Sequence, residues 1–82
     1  MIKVDIQDVV EMFQELEDDP TVSKGVKIKI VAMREELENA RNIGLTVNKI
    51  LSDLEDISSD VNLSPYVRTQ FWHITSVLEN FS

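Results

Sequence analysis

Residues 50–80 read ILSDLEDISSDVNLSPYVRTQFWHITSVLEN, and residues 9–39 read VVEMFQELEDDPTVSKGVKIKIVAMREELEN. When the two segments are aligned 41 positions apart, each apolar position that we assign to the core of one segment meets a core position of the other. The six identical pairs are Asp19 and Asp60, Ser23 and Ser64, Val26 and Val67, Leu37 and Leu78, Glu38 and Glu79, and Asn39 and Asn80. A unit of this length has the size of a HEAT-type helical hairpin, two helices and a turn. The sequence therefore predicts an internal duplication of one hairpin.

The first helix of each predicted hairpin carries apolar residues at intervals of three and four. This spacing places the side chains on one stripe of an α-helix. The first helix has Ile6, Val9, Val10, Phe13 and Leu16, and the third has Val47, Ile50, Leu51, Leu54 and Ile57. Both segments are therefore predicted to be amphipathic helices that turn one face toward a core.

The second helix of each hairpin alternates its apolar residues in steps of four and three. This alternation is typical of the seam of a left-handed helical bundle. The second helix has Val26, Ile30, Met33, Leu37 and Ala40, and the fourth has Val67, Phe71, Ile74, Leu78 and Phe81. The stretch from Lys27 to Val31 alternates like a strand, but it lies inside this longer helical frame, so we predict a helix there as well.

Polar and small residues predict where the helices begin and end. Ser64 followed by Pro65 is an N-cap with proline at the first helical position, and Ser23 is the equivalent cap of the second helix. Gly44 indicates a left-handed stop at the end of the second helix. The caps predicted for the other two helices are Asp5 for the first and Thr46 for the third.

These elements predict an all-α fold, an antiparallel four-helix bundle built from two duplicated hairpins of HEAT-like unit length. A single helical domain spans residues 1–82, with the first hairpin at about 5–43 and the second at about 46–81. Short connections make consecutive helices antiparallel. Helical repeats usually stack in three or more units, and two units alone have little to stack against. We therefore expect the two hairpins to close on one another.

The charge of the chain is −7 and is unevenly distributed. The second helix is basic between acidic neighbours, and Lys27, Arg34 and Arg41 recur every seven residues along one of its flanks. We expect these three side chains to reach acids on the adjoining helices. Because nucleic-acid backbones are bound by clustered Lys and Arg, the net charge argues against a nucleic-acid partner.

The composition favours a cytoplasmic protein. The chain has no cysteine, which excludes disulfides and thiolate metal sites and favours an intracellular location. Asp5 places an acid where a signal peptide needs apolar residues, and no apolar run approaches the roughly 18 residues of a membrane span. We therefore expect a cytoplasmic location and no membrane partner.

Motifs for catalysis or cofactor binding are missing from the sequence. His73 is the one histidine, and it lies off the predicted core stripe with no second histidine or cysteine for a metal set. Two glycines, Gly25 and Gly44, cannot form a glycine-rich phosphate loop. No feature selects a catalytic triad from the many serines. We therefore expect no enzymatic activity, no cofactor and no metal site.

An acidic cluster is the basis of an alternative hypothesis. In the predicted topology, one end of the bundle collects Glu15, Glu17, Asp18, Asp19, Asp56 and Asp60. Carboxylate oxygens suit Mg²⁺ and Ca²⁺, so a divalent-ion-responsive regulatory domain is conceivable. The calcium-loop pattern is missing, however, and Asp19 and Asp60 can instead brace their turns at a solvated end of the bundle.

Trp72 favours a role in protein binding. At 100° per residue, it points away from the core stripe of the fourth helix, towards the side that carries Arg68, and Val31 has the same angular position on the second helix. Such a flank can cover the edge of the bundle, but an outward Trp beside an Arg is also typical of binding hot spots. Both interpretations stand, and the candidate partner-binding residues are Trp72, Arg68 and Val31.

The size of the chain adds a reason for self-association, because a domain of 82 residues has a small margin of stability. We therefore expect a small protein-interaction module that either forms a homo-oligomer or binds another protein.

The second hairpin also carries a family resemblance. The residues concerned are Leu54-Glu55-Asp56-Ile57-Ser58, Asp60, Asn62, Leu63, Pro65, Arg68-Thr69, Trp72 and Val77-Leu78-Glu79. Together with the Asp-x-x-Val turn of residues 19–22, they resemble an uncharacterised family of short archaeal all-helical proteins. The chain departs from that family at Ser23-Lys24-Gly25, where a proline and basic residues are common. The resemblance implies a compact bundle in an archaeal cytoplasm, and it implies no activity, cofactor or catalytic residue.

Overall fold

The computed structural model describes residues 6–60 and 63–81, and in these ranges the chain forms four α-helices and no strand. The helices are α1 (Ile6–Glu17), α2 (Lys24–Glu38), α3 (Ile43–Ser58) and α4 (Pro65–Glu79). The segment that alternates like a strand, Lys27 to Val31, lies within α2. The predicted all-α fold of four helices is therefore confirmed.

Each helix packs against two neighbours. The backbone of α1 approaches those of α2 and α4, and the backbone of α3 approaches the same two helices. In the described residues of the pairs α1/α3 and α2/α4, no two Cα atoms lie within 8 Å of each other. The four helices therefore surround one core, with these two pairs on the diagonals of a bundle. The antiparallel order of the helices and the internal duplication stay predictions.

The four predicted stripes supply the core. The buried apolar residues are Val9, Val10, Phe13 and Leu16 of α1, Val26, Ile30, Met33 and Leu37 of α2, Val47, Ile50, Leu54 and Ile57 of α3, Val67, Phe71, Ile74, Val77 and Leu78 of α4, and Val22 of the first turn. Within the described residues, no polar or charged side chain is buried with them. Burial of apolar surface, at roughly 25 cal/mol per Å², is therefore the main force that holds the bundle together.

The observed core differs from the predicted stripes at their margins. Val77 is buried although it lies off the predicted stripe, because α4 packs against both α1 and α3 and needs a wider apolar face. Ile6, Leu51 and Phe81 are half-buried and cover the edge of the core. Ala40, predicted as a core residue of the second helix, lies beyond the end of α2 and is half-buried.

Both predicted serine N-caps are present. The Ser23 hydroxyl accepts the backbone N–H of Val26 at 3.3 Å, and the Ser64 hydroxyl accepts that of Val67 at 3.3 Å. Pro65 occupies the first turn of α4, where its missing N–H leaves no hydrogen bond unmade. The helices α2 and α4 therefore begin with the same capping bond at positions 41 residues apart, as the duplication predicts.

The connection between α2 and α3 differs from our prediction in two details. Gly44 does not stop the second helix: it lies inside α3, and no described glycine has a positive φ. Thr46 does not cap the third helix, because the Asn42 side chain accepts the Leu45 N–H at 3.2 Å and starts α3 at Ile43. The end of α2 needs no left-handed residue, since Asn39 donates its side-chain amide to the Glu35 carbonyl at 2.8 Å. The predicted Asp5 cap lies outside the described residues.

The turn after α1 is braced by Asp19. One Asp19 carboxylate oxygen accepts the Thr21 backbone N–H at 2.8 Å and the Thr21 hydroxyl at 2.7 Å. These hydrogen bonds favour the ionised carboxylate and, with a smaller contribution from nearby Lys27, hold the pKa of Asp19 below its ordinary value of 3.8. The turn is therefore tied in part to the charge of one side chain.

We expect the stabilising effect of the Asp19 charge to depend on pH. A pKa that is lower in the folded than in the unfolded chain adds stability above the unfolded value, and this stability is lost as the pH falls through the folded value. Asp19→Asn keeps an acceptor for Thr21 but has no charge to lose. The wild type should be the more stable at neutral pH, and the difference should shrink below about pH 3.8. Urea unfolding of both proteins across this range measures it, and a difference that grows towards acid contradicts it.

Two adjacent aromatic residues test the position of the core boundary. Phe71 is fully buried and Trp72 is 59% exposed. We expect Phe71→Ala to lower the free energy of unfolding by about 3–5 kcal/mol because it leaves a cavity. We expect Trp72→Ala to change it by less than about 1 kcal/mol. Denaturant unfolding followed by circular dichroism measures both, and an equal loss for the two variants contradicts the boundary.

Candidate interaction groove

Trp72 lies at the outer edge of α4. Its neighbour Phe71 is fully buried, and one step of 100° around the helix carries the indole out of the core. The large apolar side chains that the described residues expose are Ile28 (63%), Leu45 (69%), Tyr66 (56%) and Trp72 (59%). Since Trp is the largest of these and is enriched in binding hot spots, its surroundings are the first candidate site.

The surface beside Trp72 is a groove between α3 and α4 with a volume of about 530 Å³. We call it the α3–α4 groove, and its described lining residues are Asn48, Leu51, Ser52, Glu55 and Ser58 of α3, and Trp72, Thr75 and Glu79 of α4. Leu51 and Trp72 supply the large apolar surfaces of the groove, and the remaining side chains are polar. Apolar anchors among polar groups are the arrangement that binds a partner side chain with defined orientation.

The groove is acidic. Two of its described lining residues, Glu55 and Glu79, are carboxylates, and none of them is basic. The chain as a whole carries a charge of −7. A ligand that places a cation near the groove is therefore favoured over one that places an anion there.

The corresponding surface of the first hairpin is bridged by an ion cluster. Arg34 of α2 donates through Nε to Glu17 of α1 and through one terminal nitrogen to Glu38, and its other terminal nitrogen lies 3.3 Å from Glu17 Oε1. The hydrogen bond to Glu17 raises the pKa of Arg34 further above its ordinary value. The predicted contact of Arg34 with an acid on a neighbouring helix is therefore confirmed, and it spans α1 and α2.

The same bridge cannot form in the second hairpin. The positions 41 residues after Glu17 and Arg34 are Ser58 and Thr75, which are short and uncharged. Both residues line the α3–α4 groove. With two small side chains at these positions, the groove stays open, whereas a salt-bridged pair spans the aligned positions of the first hairpin.

Arg68 has a structural role at the end of α3. Its two terminal nitrogens donate to the backbone carbonyls of Ser58 at 3.2 Å and Asp60 at 3.0 Å. Ser58 is the last residue of α3, where a carbonyl has no partner within the helix, and Asp60 lies in the turn that follows. A guanidinium can donate to both carbonyls at once. Arg68 therefore fastens α4 to the last turn of α3, one helical turn before Trp72.

Val31 belongs to another face of the bundle. It lies on an open outer surface of α2, together with Lys24, Lys27, Ile28, Ala32 and Glu35. Because α2 and α4 make no contact in the described residues, Val31 is not part of the surface around Trp72. Of the three predicted partner-binding residues, Trp72 lines the α3–α4 groove, Arg68 lies one helical turn before it and is not among the described lining residues, and Val31 lies on another surface.

The acidic end of the bundle offers the ion hypothesis no support. Glu17 binds Arg34, and Asp19 binds Thr21 within its own turn. Among the described residues, no three His, Cys, Asp or Glu side chains are grouped so that they could hold a metal ion. His73 is exposed on α4. The divalent-ion hypothesis stays a prediction.

Sequence reasoning found Trp72 but missed the groove beside it. Its other lining residues include Leu51, which we assigned to the core, and Thr75, to which we assigned no role. The signal was present in the 41-residue alignment, because Thr75 and Ser58 align with Arg34 and Glu17 of the first hairpin. Reading it required knowledge that Arg34 and Glu17 contact each other across two helices.

The comparisons with known proteins agree with the resemblance read from the sequence. None of the helices in residues 6–60 and 63–81 combines the length and the apolar character that crossing a membrane requires. A model of the uncharacterised protein family UPF0147 matches residues 2–81. A UPF0147 protein from Archaeoglobus fulgidus is 35% identical over 82 residues, which cover 100% of this chain and 94% of that protein. No solved structure matches the chain. The chain belongs to the UPF0147 family of uncharacterised proteins.

Proposed function

We propose that this chain is a small protein-interaction module that binds a protein through the α3–α4 groove. The observation that carries the proposal is the exposure of Trp72, 59%, on a groove that lies beside a fully packed core. Aromatic anchors at the edge of a concave surface supply much of the binding energy in protein interfaces. The proposal includes a cytoplasmic location and a role in binding rather than in catalysis.

The exposure of Trp72 weighs against the alternative that the indole only covers the edge of the bundle. Side chains that cover the edge of this core are half-buried, as Leu51 and Phe81 are. The two aromatic residues that fill the core, Phe13 and Phe71, are fully buried. The indole instead keeps more than half of its surface in water, where a partner can remove it from solvent.

The open shape of the groove adds a second line of support. In the first hairpin, Arg34 and Glu17 use their charges to tie α1 to α2. In the second hairpin, Arg68 ties α4 to the end of α3, and Ser58 and Thr75 line a groove along α3 and α4. A groove between two helices with an apolar anchor suits an inserted helix or a short peptide.

We expect Trp72→Ala to weaken association roughly 30-fold, the factor that corresponds to about 2 kcal/mol for a hot-spot residue. The matched control is Tyr66→Ala, since Tyr66 is a similarly exposed aromatic residue on another side of the same helix. Light scattering after size-exclusion chromatography measures self-association, and recovery of bound protein from an archaeal lysate measures partner binding. A wild type that is strictly monomeric and recovers no protein overturns the proposal, as does an equal effect of the two variants.

A second variant closes the groove instead of removing its anchor. Ser58→Glu combined with Thr75→Arg places the Arg34–Glu17 pair of the first hairpin at the matching positions of the second. We expect the double variant to unfold at the same denaturant concentration as the wild type or a higher one and to lose association. Binding that survives a filled groove would assign the interaction to another surface.

Arg68 is expected to affect stability rather than recognition. Arg68→Met keeps the aliphatic stem but removes the guanidinium donors of the Ser58 and Asp60 carbonyls, and the Asp60 carbonyl retains the Leu63 N–H. The free energy of unfolding should therefore fall by about 1–3 kcal/mol. Arg41→Met, at an exposed arginine outside the helices, should change it by no more than about 0.5 kcal/mol. Denaturant unfolding compares the two. If Arg68→Met folds as stably as the wild type but fails to associate, Arg68 is a binding residue.

A further inference from the structure

We infer that the occupant of the α3–α4 groove is the outer surface of α2 from a second copy of this chain. This inference rests on the proposed function and names its partner. The contact is heterologous: the groove of one copy receives a different surface of the next.

The surface of α2 that we assign to this contact consists of Lys24, Lys27, Ile28 and Val31, and we call it the α2 ridge. Ile28 is 63% exposed although it is a large apolar residue, and Val31 is half-buried beside it. Lys24 and Lys27 flank these apolar groups, and Glu35 is a carboxylate at the far end of the same surface. The ridge thus combines an exposed apolar centre with two cations.

The groove and the ridge are complementary in apolar surface and in charge. The groove presents Trp72 and Leu51 with two carboxylates, and the ridge presents Ile28 and Val31 with two ammonium groups. Apolar contact supplies affinity at such an interface, while opposite charges fix orientation and exclude wrong partners. Both surfaces therefore offer apolar groups, and their net charges are opposite in sign, since Glu35 offsets one of the two lysines and the groove has no base among its described lining residues.

The same charges disfavour a symmetric dimer through two grooves. Two grooves placed face to face would bring Glu55 and Glu79 of one copy against those of the other, and like charges across an interface cost several-fold in affinity or more. Pairing of groove with ridge avoids this conflict.

One copy cannot occupy its own groove. The ridge belongs to α2, and the described residues of α2 make no contact with α4. Each copy therefore keeps a free groove and a free ridge after one contact has formed, so association continues into a ring or an open chain unless one of the two surfaces is removed.

The test uses two variants of the chain, each of which keeps one of the two binding surfaces and loses the other. Trp72→Ala removes the aromatic anchor of the groove and leaves the ridge unchanged. Ile28→Glu places a charge at the apolar centre of the ridge and leaves the groove unchanged. Sedimentation velocity should find species larger than a dimer for the wild type and a monomer for each variant alone. An equimolar mixture of the two variants should form a heterodimer and stop there, because it contains one working groove and one working ridge per pair.

Two further measurements check the chemistry of the contact. Leu45→Glu is the matched control, since Leu45 is exposed and belongs to neither surface, and it should associate like the wild type. Raising the salt concentration should weaken the association of the wild type, because the charges are on the surface and are screened. Association that salt leaves unchanged would overturn the pairing of carboxylates with lysines.

The outcomes distinguish this inference from the function on which it rests. If Trp72→Ala is monomeric but Ile28→Glu still self-associates, or if the mixed variants form no heterodimer, the ridge is not the occupant and the proposed function survives. A monomeric wild type that binds a different protein in a Trp72-dependent manner also overturns the inference alone. A monomeric wild type with no Trp72-dependent partner overturns both.

Discussion

Burial of four apolar stripes in one core constrains every other feature of this bundle. Each helix has a single apolar face, and each meets two neighbours across it, so the core holds apolar side chains throughout the described residues. Residues such as Phe13 and Phe71 are fully buried, so this packing does not tolerate a change in the size of their side chains. The flanks between neighbouring helices are the positions where side chains can differ without loss of the core, and the features that distinguish the two halves of the chain lie there.

The two hairpins differ in the side chains that lie between their helices at the surface. In the first, Arg34 joins α1 to α2 through Glu17, a pair whose partial exposure limits its contribution to stability. In the second, Arg68 donates to backbone carbonyls at the end of α3 and leaves the α3–α4 groove free along the helices. An ion pair bridges the two helices of the first hairpin, and an open groove beside Trp72 separates the outer edges of the two helices of the second. If the halves are copies of one hairpin, as the 41-residue correspondence predicts, one copy has kept a bridge and the other has a surface available for binding.

Membership of the UPF0147 family places the chain among uncharacterised proteins and transfers no activity to it. The arguments about function therefore rest on local chemistry. At the first turn, Glu17 binds Arg34 and Asp19 binds Thr21. The groove with its exposed indole is the surface with the strongest case for a ligand. An exposed Trp on a chain this small is a feature that folding does not require.

The sequence by itself determined the elements and the core. Apolar spacing of three and four residues, with serine caps at Ser23 and Ser64, specifies local helical structure, and local structure depends on neighbours along the chain. The Asn42 cap that starts α3 is local in the same way, although Thr46 was predicted in its place. Tertiary structure decided the rest. The burial of Val77 depends on packing against two helices, and the groove depends on which side chains face each other across α3 and α4. These are contacts between residues whose relative position a one-dimensional period cannot specify, so Trp72 could be predicted to face outward, but the separate location of Val31 could not.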